Sequence, residues 1–579
     1  MRILLFSAAM LIGSSFPVAA EVRDLYSDTW AATDALGRRL PGYEQVGPVR
    51  ENRTVGIFYF LWLGQHGTDG PYDITELLKE NPEAPRYGPP GQFHHWGKPE
   101  LGYYTSDSEY VIRRHARLLS DAGVDVLIFD VTNAATYPTV YLKLCEIYRQ
   151  LRAEGQKTPQ IMFLTHSAPD KTIQTLYEEF YSKNLYPELW FYWKGKPLLL
   201  GRPEKLESNI TDFFTLRDCW AWTHDKDTWN WLENWPQRYG WHDAQDKPEE
   251  VSVSVAQHPT SNIGRSHYNN KQPEANAYGV GPQTHKGLYF SQQWEEALKI
   301  DPEFIFVTGW NEWVAQRFLA KAGEAPGEMV GRPLKPGDTF FVDTYSQEYS
   351  RDIEPMEGGH GDNYYYQMVA NIRKYKGVRK PQPASAAKTI AIDGVFEDWQ
   401  EVGPQFRDHL GDAEHRDEKG WGKAGMYVNA TGRNDLATMK VARDAEAVYF
   451  YAETAKPLTP QTDKNWMLLY IDSDQNAKTG WQGYDYVVNL NVSDAKTTSL
   501  HRLTEGWNPE LKSKIAFAAK DNQLELAIPR EALGLTRDAK VSLDFKWADN
   551  ILKTGDVTEF FLNGDVAPER RFNYRYTED

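Results

Sequence analysis

Across residues 50–320, short unbroken apolar runs alternate with stretches whose apolar residues recur every three or four positions. The runs "VGIFYFLW", "VDVLIFDVTN", "IMFLTHS", "PLLLGRP", "CWAWTHD", "VSVSVAQHP" and "FIFVTGWNEW" predict seven strands buried on both faces. Between them, "SEYVIRRHARLLSDAG" puts Val111, Ile112, His115, Leu118 and Leu119 on one helical face, and "TVYLKLCEIYRQLRAEG" has the same period. This alternation predicts a parallel sheet covered by helices. An eighth strand is expected between Ser261 and Tyr289.

Nearly every run ends in polar or aromatic groups: Tyr59 and Trp62, Asp130 and Asn133, His166, His224, Gln257 and His258, then Asn311 and Glu312. Apolar strand bodies with chemistry at their C-terminal tips predict a (β/α)8 TIM-type barrel, whose interior is packed and whose reactive groups gather at one end. A doubly wound open sheet also places ligands at strand ends, but its first strand should lead into a glycine-rich phosphate turn, and "FLWLGQHG" is not one.

After a helical stretch ending near Tyr375, "GVRKPQPASAAK" has neither hydrophobic period. It predicts a linker over 377–388 between a domain at 21–376 and a smaller one at 389–579. In the latter, "AVYFYAET", "WMLLYIDSD", "YDYVVNL" and "LELAIPREALGL" alternate with turn residues, which predicts an all-β antiparallel sandwich folding separately from the barrel.

The N-terminus, a basic residue followed by "ILLFSAAMLIG" and then Val18-Ala19-Ala20, reads as a cleaved signal peptide over 1–20, so a secreted or periplasmic location is expected. No later run is long enough to insert in a membrane. Two cysteines, Cys145 and Cys219, exclude a disulfide-built scaffold. A net charge of −17 argues against nucleic acid as a partner. Twenty tryptophans offer flat apolar faces of the kind that sugar rings stack on, and that ordinary cores also use.

No acyl-transfer elbow, phosphate loop or dinucleotide fingerprint is present, and no metal-ligand spacing appears around His94 and His95, so carboxylates carry the candidate chemistry. Glu312, flanked by Trp310 and Trp313, is expected to have a raised pKa suited to acid work. Its partner is sought at Asp130 or among Asp343, Glu348, Asp352 and Glu354 in the loop after the last strand. His94, His95 and Trp96 in "FHHWGKPELG" are candidate sugar contacts, together with Tyr59, Trp62, Asn133, His166, His224, Trp310, Asn311 and Trp313.

The stretches "VGIFYFLWLG", "PELGYYTSDSEYVIRRHARLLSDAGVDVLIFDVTN" and "VTGWNEW" resemble glycoside hydrolase family 99 and its family 71 relatives. That resemblance implies a (β/α)8 glycosidase acting on a polysaccharide, without cofactor, with Glu312 carried over by motif. Family 99 has a second glutamate three residues on, where this chain has Ala315. A noncatalytic polysaccharide-binding protein on the same barrel is therefore the alternative. In the second region, "IDGVFEDW" and "IPREALGL" are similar to family 9 carbohydrate-binding modules, which implies sugar binding and a possible structural calcium. Asp472, Asp474 and Asn476 in "DSDQNAKTG" could serve such an ion, or simply form a hairpin turn.

Overall fold

The computed structural model describes residues 22–257, 259–274, 281, 283–323, 327–329, 332–492 and 494–578. The expected signal segment and His258 lie outside them.

Eight strands run parallel to their neighbours: β1 (Thr54–Tyr59), β2 (Val126–Val131), β3 (Gln160–Thr165), β4 (Lys196–Leu200), β5 (Thr215–Trp220), β6 (Thr228–Asn230), β7 (Pro248–Ser254) and β8 (Phe304–Thr308). Their order is β6-β5-β4-β3-β2-β1-β8-β7. Between β6 and β7 the sheet is bridged by Gly240–Trp241, antiparallel to β7, and by Asn230 N donating to Glu250 Oε2 at 2.8 Å. The result is a nearly closed, barrel-like sheet.

The eighth strand is β6, at Thr228–Asn230, and the described residues between Ser261 and Tyr289 contain no strand. Three residues leave no periodic signal. Strand β5 starts earlier than expected, because the charged Arg217 interrupts its apolar run; Arg217 is buried against Glu249, with Nε 2.6 Å from Oε2. His224 consequently falls beyond the strand.

Side-chain parity separates two layers. Phe58, Phe60, Val126, Ile128, Met162, Leu164, Leu198, Leu200, Phe304 and Phe306 fill the interior. Val55, Ile57, Tyr59, Leu127, Phe129, Ile161, Phe163, Val251, Val253, Ile305 and Val307 face the helices. Those helices include α1 (Glu109–Ala122), α2 (Pro138–Ala153), α3 (Leu288–Ile300) and α4 (Asn363–Lys376). Helix α1 begins where Ser108 Oγ accepts from Val111 N and ends at Gly123, whose φ of 85° suits a residue without Cβ.

The second region is all-β, but eleven of its strands form one continuous antiparallel sheet with a barrel-like course, where two facing sheets were expected, and Arg416–Lys419 and Met426–Asn429 form a separate ribbon. It packs closely on the first region. Arg114 of α1 meets Glu569 at 2.5 Å, Arg117 meets Glu414 at 2.9 Å, and Arg570 meets Glu100 at 2.5 Å, with all three arginines buried. Trp421 leaves the sheet altogether and joins the barrel's interior cluster, its Nε1 donating to Asp69 O at 2.9 Å. Trp466 and Trp481 are also buried, within the second region.

Candidate active site

Strand β8 delivers Trp310 to Trp313 at the C-terminal end of the sheet, where the apolar body of the strand gives way to paired polar groups. Glu312 lies buried with Oε2 2.9 Å from Arg351 Nη2, and its backbone N donates to Asp352 Oδ1 at 2.7 Å. Arg351 also reaches Asp343 Oδ1, at 3.4 Å. The loop carrying Arg351 and Asp352 is held by Arg265, which bonds Ser350 O at 3.0 Å and Ser350 Oγ at 2.8 Å, its guanidinium 5.1 Å from the centre of Trp96.

Burial raises the Glu312 carboxyl well above the ordinary range; the negative charges of Asp343, Asp352 and Asp130 add to this, and Arg351 opposes it. Asp130, at the tip of β2 on the interior side, is pushed up to about 6 by burial, with Asp343 adding to the rise and Arg351 opposing it. Asp130 Oδ1 accepts from Thr132 N at 2.9 Å. Asp352 is also pushed to about 6, chiefly by burial, and its Oδ2 is buried without a partner. Arg351 thus pairs with Glu312 and Asp343, Asp352 accepts from the Glu312 backbone, and the charge of Asp130 is near enough to raise Glu312.

Glu348 and Glu354 are brought elsewhere. Glu348 accepts from Ser266 N (2.9 Å), Ser266 Oγ (2.8 Å), Gln272 Nε2 (2.8 Å) and Gly281 N (3.1 Å), which makes it the organising centre of a buried loop. Glu354 is enclosed by Tyr104 OH (2.6 Å), His115 Nε2 (2.9 Å) and Trp313 Nε1 (2.5 Å). Both carboxylates are saturated by protein donors.

Several expected sugar contacts are structural. Tyr59 has the parity of Val55 and Ile57, so it faces α1 and bonds His115 Nδ1 at 3.0 Å. Trp310 lies in the same helix-side layer. Asn311 clamps β1, accepting from Phe60 N at 2.9 Å and donating to Phe60 O at 3.2 Å. Trp96 and Trp313 stack at 4.4 Å, fully buried. His94 accepts from Gly88 N at 2.9 Å, and burial lowers it to about 4; His95 is buried between Tyr103 and Trp421 and lowered to about 3. His224 is tied to Arg238 at 2.7 Å.

Around the mouth stand aromatic groups that remain at least partly open. Trp62 packs on Phe93 at 5.3 Å, and His66 bonds Tyr137 OH at 2.9 Å, which Asn133 Nδ2 also approaches at 2.8 Å. Across from them, His166 stacks on Trp220 at 3.4 Å, Trp220 meets Trp231 at 5.8 Å, and Arg351 lies 5.3 Å over Trp231. Arg351 and Trp231 escape strand-tip reasoning, since one sits in a long loop and the other just after a three-residue strand. The signal available was the lone arginine of "QEYSRDIEP" among three acids.

Ala315, at the position of the family 99 second glutamate, is buried in an apolar cluster with Ile74, Leu78 and Phe341. No family model matches the chain, and no curated protein matches it. Among solved structures it is similar to the GH99 endo-alpha-mannosidase from Bacteroides thetaiotaomicron: 13% identity over 57% of this chain and 99% of that chain, TM-score 0.32. The same enzyme in complex with bis-tris-propane gives 12% identity over 56% and 98%, with TM-score 0.32.

Proposed function

We propose that this chain is a glycoside hydrolase on a (β/α)8 barrel, cleaving a polysaccharide with Glu312 as the proton-donating carboxyl and Asp130 as the ionised one. The observation that carries the proposal is the buried Glu312 carboxyl bonded to Arg351 beyond the end of β8, raised in part by the charge of Asp130 at the end of β2, with the partly open Trp62, Trp220 and Trp231 at or after the ends of other strands. Glycoside cleavage needs one carboxyl protonated to assist the leaving oxygen and one ionised, and unequal environments are how such a pair divides its roles. Deep burial among acids favours the proton on Glu312. Asp130, raised less, is ionised above about pH 6. Open tryptophan faces suit sugar rings. Export through the N-terminal segment belongs to the same proposal, as does glycan binding by the second region.

A second reading is favoured by the Arg351–Glu312 pair itself: a carboxylate locked at 2.9 Å to a buried guanidinium is also how a barrel that only binds polysaccharide would neutralise it. Release of reducing ends from a panel of plant, algal and microbial polysaccharides separates the two. The enzyme releases them, and the binding protein retains the polymer unchanged.

A further inference from the structure

The continuous sheet of the second region has two ends. At one, the strand Phe406–Arg407 leads directly into Asp408; at the other, the strand Asp565–Ala567 begins with Asp565. These ends approach each other across Leu436, whose backbone N donates to Asp565 Oδ2 at 2.5 Å. Asp408, Asp412 and Asp565 each direct a carboxylate oxygen to a common point, with the three oxygens within 4.8 Å of one another and all three residues buried. Two oxygens on one calcium ion at about 2.4 Å can be separated by no more than about 4.8 Å, a limit that every pair here meets.

The second observation is independent of that spacing. Both carboxylate oxygens of Asp408, and both of Asp412, are buried without a hydrogen-bond partner. The cations nearby are already engaged: Arg117 with Glu414 at 2.9 Å, Arg114 with Glu569 at 2.5 Å, and His409 with Asp121 at 3.1 Å. Lys546 directs its Nζ to Pro568 O, and Arg23 bonds the backbone oxygens of Asp408 and Ala437. Three buried carboxylates, two of them without any hydrogen-bond donor, leave a charge deficit that a divalent cation would cancel. An all-oxygen donor set of this kind suits calcium and disfavours zinc or copper.

We propose that Asp408, Asp412 and Asp565 form a calcium site that closes the second region's sheet and fixes the turn docking it to the barrel. That turn, Asp408 to Asp412, carries the docking contacts: His409 on Asp121 of α1, and Leu410 O accepting from Gln156 Nε2 at 2.7 Å. Assembling these acids without an ion is costly, since no hydrogen-bond donor meets either carboxylate oxygen of Asp408 or of Asp412. The loop with Asp472, Asp474 and Asp485 also gathers three acids, with Asp485 in place of the expected Asn476, but each of its carboxylates accepts hydrogen bonds. It serves as the control.

The test uses the full chain, purified and then treated with EDTA, with calcium content read by elemental analysis and rebinding by calorimetry. The wild type is expected to lose melting temperature on chelation and to regain it as calcium is titrated in. Asp412→Asn and Asp408→Asn should each bind one calcium fewer per chain than the wild type, also in an Asp474→Asn background. Equal calcium content in the wild type and Asp412→Asn, including none in either, overturns the proposal. So does a wild type that releases its calcium without any change in melting. Should both variants fail to fold, the chelation result on the wild type decides alone.

Discussion

Glu312 Oε2 and Arg351 Nη2 lie 2.9 Å apart, with both side chains almost wholly removed from solvent. The acid comes from the tip of a barrel strand and the base from the loop that follows, so the strand end and the loop are fixed by one buried ion pair. Removing one partner of such a pair leaves an uncompensated charge, which is worth more than the net value of the pair.

Arg351→Gln should therefore destabilise the protein most in alkali, where Glu312 is ionised, by up to about 3 to 5 kcal/mol, and less at lower pH, where Glu312 holds its proton. Because Arg351 opposes the rise of Glu312, its loss should also move the alkaline limb of activity to higher pH. Urea unfolding in alkali and at lower pH, and a pH–rate profile, measure the two effects.

Asp130 gives a pH dependence of opposite benefit. Its folded-state pKa of about 6 exceeds the ordinary 3.8, so the folded protein binds this proton more tightly than the unfolded chain. That contribution is complete below about pH 4 and is lost as pH rises through about 6. Asp130→Asn should be more stable than the wild type at pH 8, by on the order of 2 to 3 kcal/mol, and should match it near pH 4. Melting curves across this range check it, and an unchanged difference at all pH values would contradict the assignment.

Asn311 was expected to touch sugar from its place in "GWNEW", and instead it satisfies both backbone groups of Phe60. Asn311→Ala should cost about 2 to 6 kcal/mol, since two buried groups lose their partner at about 1 to 3 kcal/mol each. Glycan affinity of the protein that remains folded should be unaltered, which a binding isotherm at low temperature can test.

What the sequence reveals here follows the physics of each signal. Asp130 and Glu312 are visible because an acid ending an otherwise hydrocarbon strand is conspicuous. Tyr59 and Trp310 are misplaced for a related reason: a strand buried on both faces has no alternation to show which side a residue takes, and Tyr59 shares its parity with Val55 and Ile57 on the helix side. Strand β6, with three residues, gives no pattern at all. Arg351 sits in an aperiodic loop whose path is set by contacts with Arg265, far away in sequence.

The two regions were expected to fold separately because the 377–388 segment reads as a linker. Buried pairs such as Arg114–Glu569 and Arg570–Glu100 join them instead. Calorimetry should show one concerted transition, and Glu569→Gln should lower it by about 3 to 5 kcal/mol by stranding Arg114. Two well-separated transitions in the wild type would contradict this.

The mouth aromatics should act on binding. Trp220 stacks on His166 at 3.4 Å and is partly open, so Trp220→Ala should weaken oligosaccharide binding roughly 3- to 10-fold, the value of one ring-stacking contact.

Reducing-end release by the wild type, Glu312→Gln and Asp130→Asn, on a polysaccharide to which all three bind, tests glycoside cleavage by this pair of carboxyls most directly. The expected result is release by the wild type and a loss of about 10²- to 10⁴-fold in each variant, with binding retained, as the removal of a positioned proton donor or acceptor brings. Binding without release by the wild type, or full activity in Glu312→Gln, would contradict it.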